Sequence, residues 1–183
     1  MSNIQKQSKR ARILFQIFLI LTPILVCYFW LTIDTPYDYL TATGIVQTSF
    51  DDLHNLTQVP LTPTIRVVAA LFSLIYCSII MYALTKLIKL FRNYENNNIF
   101  TFENATIYQK LGYSIFYWVG GSVLYDAIMT VVISFNNPPG HRMLAIGFEG
   151  IDFITLIMGL IVLIISWVMK EACILADEQN LTI

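Results

Sequence analysis

Four long apolar runs dominate the chain and leave it little choice of fold. The first is Ile13 to Ile33, with no charge at all. The second lies within Ile65 to Leu90, with Val67 to Thr85 as its uncharged centre. The third is Leu111 to Phe135, interrupted by Asp126, and the fourth is Ile151 to Met169, uncharged after Asp152. Crossing about 30 Å of hydrocarbon takes roughly 20 helical residues, which each run supplies. Lipid offers no hydrogen bonds, so the backbone of each run must bond within itself, and a helix does so. The expected fold is all-α: one domain over residues 1–183, an integral membrane four-helix bundle with spans at about 13–33, 65–90, 111–135 and 151–169.

Composition excludes the soluble alternatives. Of the 183 residues, 56% are hydrophobic and 13% charged, and mean hydropathy is +0.64. That leaves too few charges to coat a water-soluble domain, where about a quarter of residues are charged. A net charge of -1, without a basic face, argues against direct nucleic-acid binding. The first run resembles a signal peptide in its basic prelude, Lys6, Lys9, Arg10 and Arg12. It is too long for a signal's apolar region, and Tyr28-Phe29-Trp30-Leu31 offers no small-residue cleavage site, so an uncleaved span is expected.

Basic residues orient the spans. Lys6, Lys9, Arg10 and Arg12 precede the first, Lys86, Lys89, Arg92 and Lys110 lie between the second and third, and Lys170 follows the fourth. Arg66 and Arg142 alone belong to the other side. Positive charge stays inside. Both termini are therefore expected in the cytoplasm. The outer loops are then about Asp34 to Thr64, with a short helix expected near Phe50 to Leu56, and about Asn136 to Gly150. The second of these opens with the turn signal Asn-Asn-Pro-Pro-Gly.

The inner ends are expected to continue as helices. Thr101 suits a helix N-cap, with Glu103 and Asn104 in the first turn. The fourth span runs on through Lys170 to Glu178 without a breaker. The two extensions are expected to touch through Phe102, Ala105 and Tyr108 on one side and Ile174 and Leu175 on the other. Glu171, Asp177 and Glu178 would then lie near the basic end of the second helix. Phe102, Glu103, Asp177 and Glu178 form the candidate surface for a cytoplasmic partner.

Two segments carry a family resemblance. Asn98-Ile99-Phe100-Thr101-Phe102-Glu103-Asn104 leads through Gln109-Lys110-Leu111-Gly112 into the third span, and the chain ends Asp177-Glu178-Gln179-Asn180-Leu181-Thr182-Ile183. With four spans, these segments resemble the YoaS-like family of bacterial membrane proteins, a family of unknown function. The resemblance implies an inner-membrane protein. Its genes often lie beside one for a small helix-turn-helix regulator, which implies a signalling or regulatory role through such a partner.

Asp126 is the most informative single residue, because a carboxylate inside a span costs about 2.5–3.5 kcal/mol on insertion scales. It is expected to face other helices, with Ser73, Tyr76 or Thr155 at similar depth as a partner. It is either a structural hydrogen-bonding group or the working site of a small transporter or channel component. Gly120-Gly121 suggests close helix packing. Arg66, Arg142, Glu149 and Asp152 are expected to cluster at the outer surface, forming ion pairs or snorkelling, with a small-ligand or peptide mouth as the functional alternative. Tyr28, Trp30, Tyr37 and Trp167 suit the interface, while Tyr113, Tyr117 and Trp118 are expected between helices.

No catalytic constellation is visible. His54 and His141 stand apart, Cys27, Cys77 and Cys173 lack ligand spacing, and no nucleophile elbow or phosphate loop occurs. The expected role is non-enzymatic, without metal or cofactor, in contact with the bilayer and a cytoplasmic partner. A role as an envelope accessory or immunity-type protein is the further alternative. The topology is directly testable. Ser49→Cys should react with an impermeant thiol reagent from outside, above the background of the native cysteines. A cysteine between Tyr94 and Asn98 should react only from inside. Labelling of Ser49→Cys from the cytoplasmic side alone would overturn the orientation.

Overall fold

A computed structural model describes residues 3–43, 56–57 and 59–181, in backbone only at 41, 42 and 176–181. The described residues are helical with short connections. Helix α1 spans Asn3–Thr32, a single turn α2 spans Tyr39–Ala42, and the remaining helices are α3 (Pro63–Glu95), α4 (Phe102–Ser134) and α5 (Gly150–Leu181). The short helix expected near Phe50 lies outside the described residues, apart from Leu56. The long helices have 30, 33, 33 and 32 residues. At 1.5 Å per residue each is about 45–50 Å long, well beyond the hydrocarbon thickness.

These four helices are long and apolar enough to cross a membrane. Their surfaces say the same. Ile20, Leu71, Leu124 and Val168 are all more than half exposed, an arrangement that water would penalise and lipid does not. The protein is all-helical, and its four long apolar helices are those of a multi-pass membrane protein.

The chain packs as two compact units. One comprises Met1–Leu21, Ile79–Val119 and Glu149–Ile183. Its core is Leu90, Ile107 and Leu111, with Leu87, Tyr94, Tyr108 and Val162 against it, and Phe15 meets Phe91 at 5.4 Å between ring centres. Here α4 and α5 approach closely at two glycines. A Cβ on Gly112 would sit 2.6 Å from Leu163 Cδ2, and one on Gly159 would sit 3.1 Å from Ile115 and Phe116 side-chain atoms. The expectation for Gly120 is corrected, because a Cβ there would meet nothing within 4 Å. Close packing falls where a large side chain faces the missing Cβ, and Gly120 faces none.

The other unit comprises Thr22–Ser78 and Gly120–Phe148. Its core gathers Trp30, Ile33, Leu61, Ile65, Ala69, Ala70, Met129 and Ile133. Trp30, expected at the interface, is instead buried at 2% exposure. Arg66 closes the end of α1: its guanidinium donates to the carbonyls of Leu31, Ile33 and Leu61. Leu31 and Ile33 lie at the C-terminal end of α1, where carbonyls lack partners along the helix and a cation suits the dipole, while Leu61 lies just before α3.

The expected outer ion-pair cluster is corrected as well. Arg66 serves carbonyls, Arg142 lies over the Phe135 ring at 5.1 Å, and Asp152 accepts the Glu149 N–H at 2.9 Å to cap its own helix. Arg142 and Asp152 thus find partners a few residues away and Arg66 bonds backbone carbonyls, which costs less entropy than ordering four side chains together. Tyr113 and Tyr117 are exposed rather than packed between helices.

Candidate functional site

The first candidate is the turn between α3 and α4. Helix α3 ends in the run Glu95-Asn96-Asn97-Asn98, and Asn97 takes the left-handed conformation with φ 63°. The Asn98 N–H then reaches back to the Asn93 carbonyl at 3.0 Å, closing a Schellman cap. Asparagine tolerates this conformation better than most residues. Thr101 Oγ1 accepts the Asn104 N–H at 3.2 Å, so the expected N-cap forms.

Asn104 fastens this turn. It is fully buried. Its amide donates to the carbonyls of Asn98 (2.6 Å) and Ile99 (2.8 Å), and its Oδ1 accepts from Asn93 at 2.7 Å. One side chain therefore ties the end of α3, the turn and the start of α4 together. Around it, Lys89 pairs with Glu103 at 2.7 Å, Asn93 also donates to Glu103, and Arg12 pairs with Glu95 at 2.9 Å. The Tyr94 and Tyr108 hydroxyls meet at 2.8 Å.

The extensions of α4 and α5 do touch. Lys170 donates to Gln109 at 2.8 Å, and Ser166 donates to the Ala105 carbonyl at 2.8 Å. The contact residues differ in part from those expected. Ala105 and Cys173 are buried, while Phe102, Ile174 and Leu175 point outward. A small residue permits close approach, and a Phe at that position would hold the helices apart. Of the candidate partner surface, Phe102 is exposed and Glu103 is half-exposed in its ion pair with Lys89. Asp177 and Glu178 belong to α5, and their side chains lie outside the described residues. The exposed turn also carries Phe100, at 68% exposure the more prominent of the two rings.

The second candidate is a polar chain within the apolar spans. Trp30 Nε1 donates to Ser73 Oγ at 2.6 Å, and Ser73 Oγ lies 2.7 Å from the Tyr125 hydroxyl. Tyr76 stacks on Tyr125 with ring centres 4.8 Å apart. Ser73 is thus engaged with Trp30 and Tyr125, and Thr155 donates to the Ile151 carbonyl of its own helix. Asp126, next to Tyr125, is exposed. Tyr125, bonded to Ser73, and Met129 join the core of this unit.

A recess lined by Ile80, Ala83, Ser114, Ile115, Trp118 and Thr155 carries little chemistry. Its two hydroxyls are both spent on carbonyls of their own helices. Among the described residues, no group of three His, Cys, Asp or Glu side chains could hold a metal ion.

The fold and these sites define a multi-pass membrane protein with, among the described residues, a polar helix turn and a polar chain linking Trp30, Ser73 and Tyr125. The chain belongs to the family described as protein of unknown function DUF2975, matched over residues 54–183. That match takes in α3, α4 and α5, including both polar sites except Trp30. Comparison with curated proteins and with solved structures finds no match.

Sequence reading placed the Thr101 cap and flagged the segment around Asn104. It missed that Asn104 is the fastening residue, and it missed the Trp30–Ser73–Tyr125 chain. The signal for the first was present: an amide side chain at a helix start with three asparagines just upstream. Replacing Asn104 with Ala should leave two carbonyls and the Asn93 amide short of partners. About 1–3 kcal/mol of stability should be lost, measured by thermal unfolding in lipid nanodiscs. Unchanged unfolding would contradict this role.

Proposed function

We propose that the protein is a non-enzymatic component of the bacterial inner membrane, with both termini in the cytoplasm, that works by docking a soluble cytoplasmic partner on the α3–α4 turn. One observation carries the reading: a turn fastened by a fully buried Asn104 presents Phe100 and Phe102 outward. The turn lies about 13 Å before the third apolar run begins at Leu111, at 1.5 Å per residue. Aromatic rings held rigidly at such a place suit a protein contact, where aromatic anchors supply much of the binding energy. The excess of Lys and Arg around this turn and at the N-terminus supports its cytoplasmic location.

The resemblance to the YoaS-like family, whose genes often neighbour a helix-turn-helix regulator, points to such a regulator as the partner. The role is then signalling or regulatory: the membrane protein holds or releases a DNA-binding protein and binds no nucleic acid itself. A photo-crosslinking amino acid at Phe102 tests this in intact cells. The expected product is a discrete adduct with a small helix-turn-helix protein, identified by mass spectrometry and lost when Phe100 is changed to Ser. Adducts with lipid alone would defeat the docking reading.

A further inference from the structure

We infer that the α3–α4 pair binds one anionic glycerophospholipid, with its phosphate at Lys86 and Lys110 and one acyl chain in the recess beside Ala83 and Trp118. This goes beyond the partner reading, rests on different residues and holds whichever side of the membrane the turn faces.

The first observation is the recess. It has a volume of about 200 Å³ beside Ile79 and Ala83 of α3, Ser114 and Trp118 of α4, and Thr155 of α5. All of these belong to the unit built on Leu90, Ile107 and Leu111. An apolar cavity of about 150 Å³ suffices to take up a benzene ring, so this one has room for a stretch of alkyl chain. The Ser114 and Thr155 hydroxyls donate to the Leu111 and Ile151 carbonyls, so neither offers its proton to a ligand. The recess lies at the depth of the uncharged runs. The medium there is hydrocarbon, and the occupant at hand is a lipid chain.

The second observation is charge. Lys89 and Glu103 pair at 2.7 Å across the two helices, so their sides of α3 and α4 form one face. Lys86 precedes Lys89 by about one turn and Lys110 follows Glu103 by about two, so both stand on that face. Each is the first charge beyond an uncharged stretch of its helix, 67–85 and 111–125, which places it at headgroup level. Lys86 Nζ lies over the Tyr82 ring, 4.7 Å from its centre. Among the described residues, neither Lys86 nor Lys110 forms an ion pair, whereas Arg12 and Lys89 do. Two such cations on neighbouring helices at the membrane surface suit an anionic headgroup.

The third observation is register. Ala83 and Ile79 lie three and seven residues deeper than Lys86, and Ser114 and Trp118 lie four and eight deeper than Lys110. These spacings follow one side of a helix. At 1.5 Å per residue they cover about 4–12 Å of depth, within the roughly 15 Å of a single leaflet's hydrocarbon. A lipid with its phosphate at the two lysines therefore reaches the recess with its chain.

The full chain in liposomes tests the proposal. Extracted from phosphatidylcholine membranes that contain phosphatidylglycerol, the native protein should carry one phosphatidylglycerol in native mass spectrometry. Lys86→Gln combined with Lys110→Gln should retain at least about fivefold less, the factor that a single lysine supplies beside an anionic surface. A native protein without retained lipid, or a double variant that retains as much, would overturn the headgroup site. The recess is read by Trp118 fluorescence, with Trp167 changed to Phe, the buried Trp30 as a constant background, and phospholipids brominated along the acyl chain as quenchers. Brominated phosphatidylglycerol should quench at mole fractions at least about fivefold lower than brominated phosphatidylcholine. Equal quenching by the two would remove the acyl chain from the recess. Neither readout depends on whether a partner binds at Phe102.

Discussion

Every backbone N–H and C=O inside the hydrocarbon must find its partner within the protein, and the rest of the structure follows from that demand. It makes the four runs helical. It also moves the difficult chemistry to the places where helices end, because each helix leaves four N–H and four C=O groups without partners. The side chains with the most hydrogen bonds are found there. Arg66 covers the Leu31 and Ile33 carbonyls at the end of α1, Asn104 covers the carbonyls beyond α3, and Thr101 and Asp152 cap the starts of α4 and α5. Thr130 and Ser134 extend the same service to the segment after α4.

Between the ends, packing replaces hydrogen bonding. Lipid tails are as apolar as leucine, so helices gain little simply by burying leucine against one another. Close contact matters instead, and Gly112 and Gly159 provide it. The Trp30–Ser73–Tyr125 chain is the mid-span exception. Its hydroxyls and indole N–H satisfy one another, so three polar groups sit among apolar residues without an orphan. With Asp126 next to Tyr125, this stretch of α4 concentrates most of the polarity that the third run contains.

The helices were legible in the sequence because they depend on long-range composition, which a run of some twenty apolar residues states without ambiguity. The Thr101 cap was legible because it is local, a hydroxyl three residues before its N–H partner. What stayed hidden depends on which residues meet across helices. Gly120-Gly121 is the more conspicuous glycine signal, yet Gly120 faces nothing within 4 Å while Gly112 and Gly159 face bulky neighbours. Trp30 reads as an interfacial residue by its position near a span end, yet its N–H finds Ser73 more than forty residues away. Asp126 reads as enclosed because burial is the usual fate of an intramembrane acid.

The central claim is that a bilayer-satisfied backbone ends in a turn made rigid by one buried amide. Amide hydrogen exchange in lipid nanodiscs measures both parts at once. The expected result is slow exchange through residues 113–133 of α4 together with slow exchange at Asn98 and Asn104, whose N–H groups bond Asn93 and Thr101. Exchange of residues 113–133 at the rate of a peptide in water would contradict the membrane-spanning helix. Slow exchange there with immediate exchange at Asn98 and Asn104 would contradict the rigid turn.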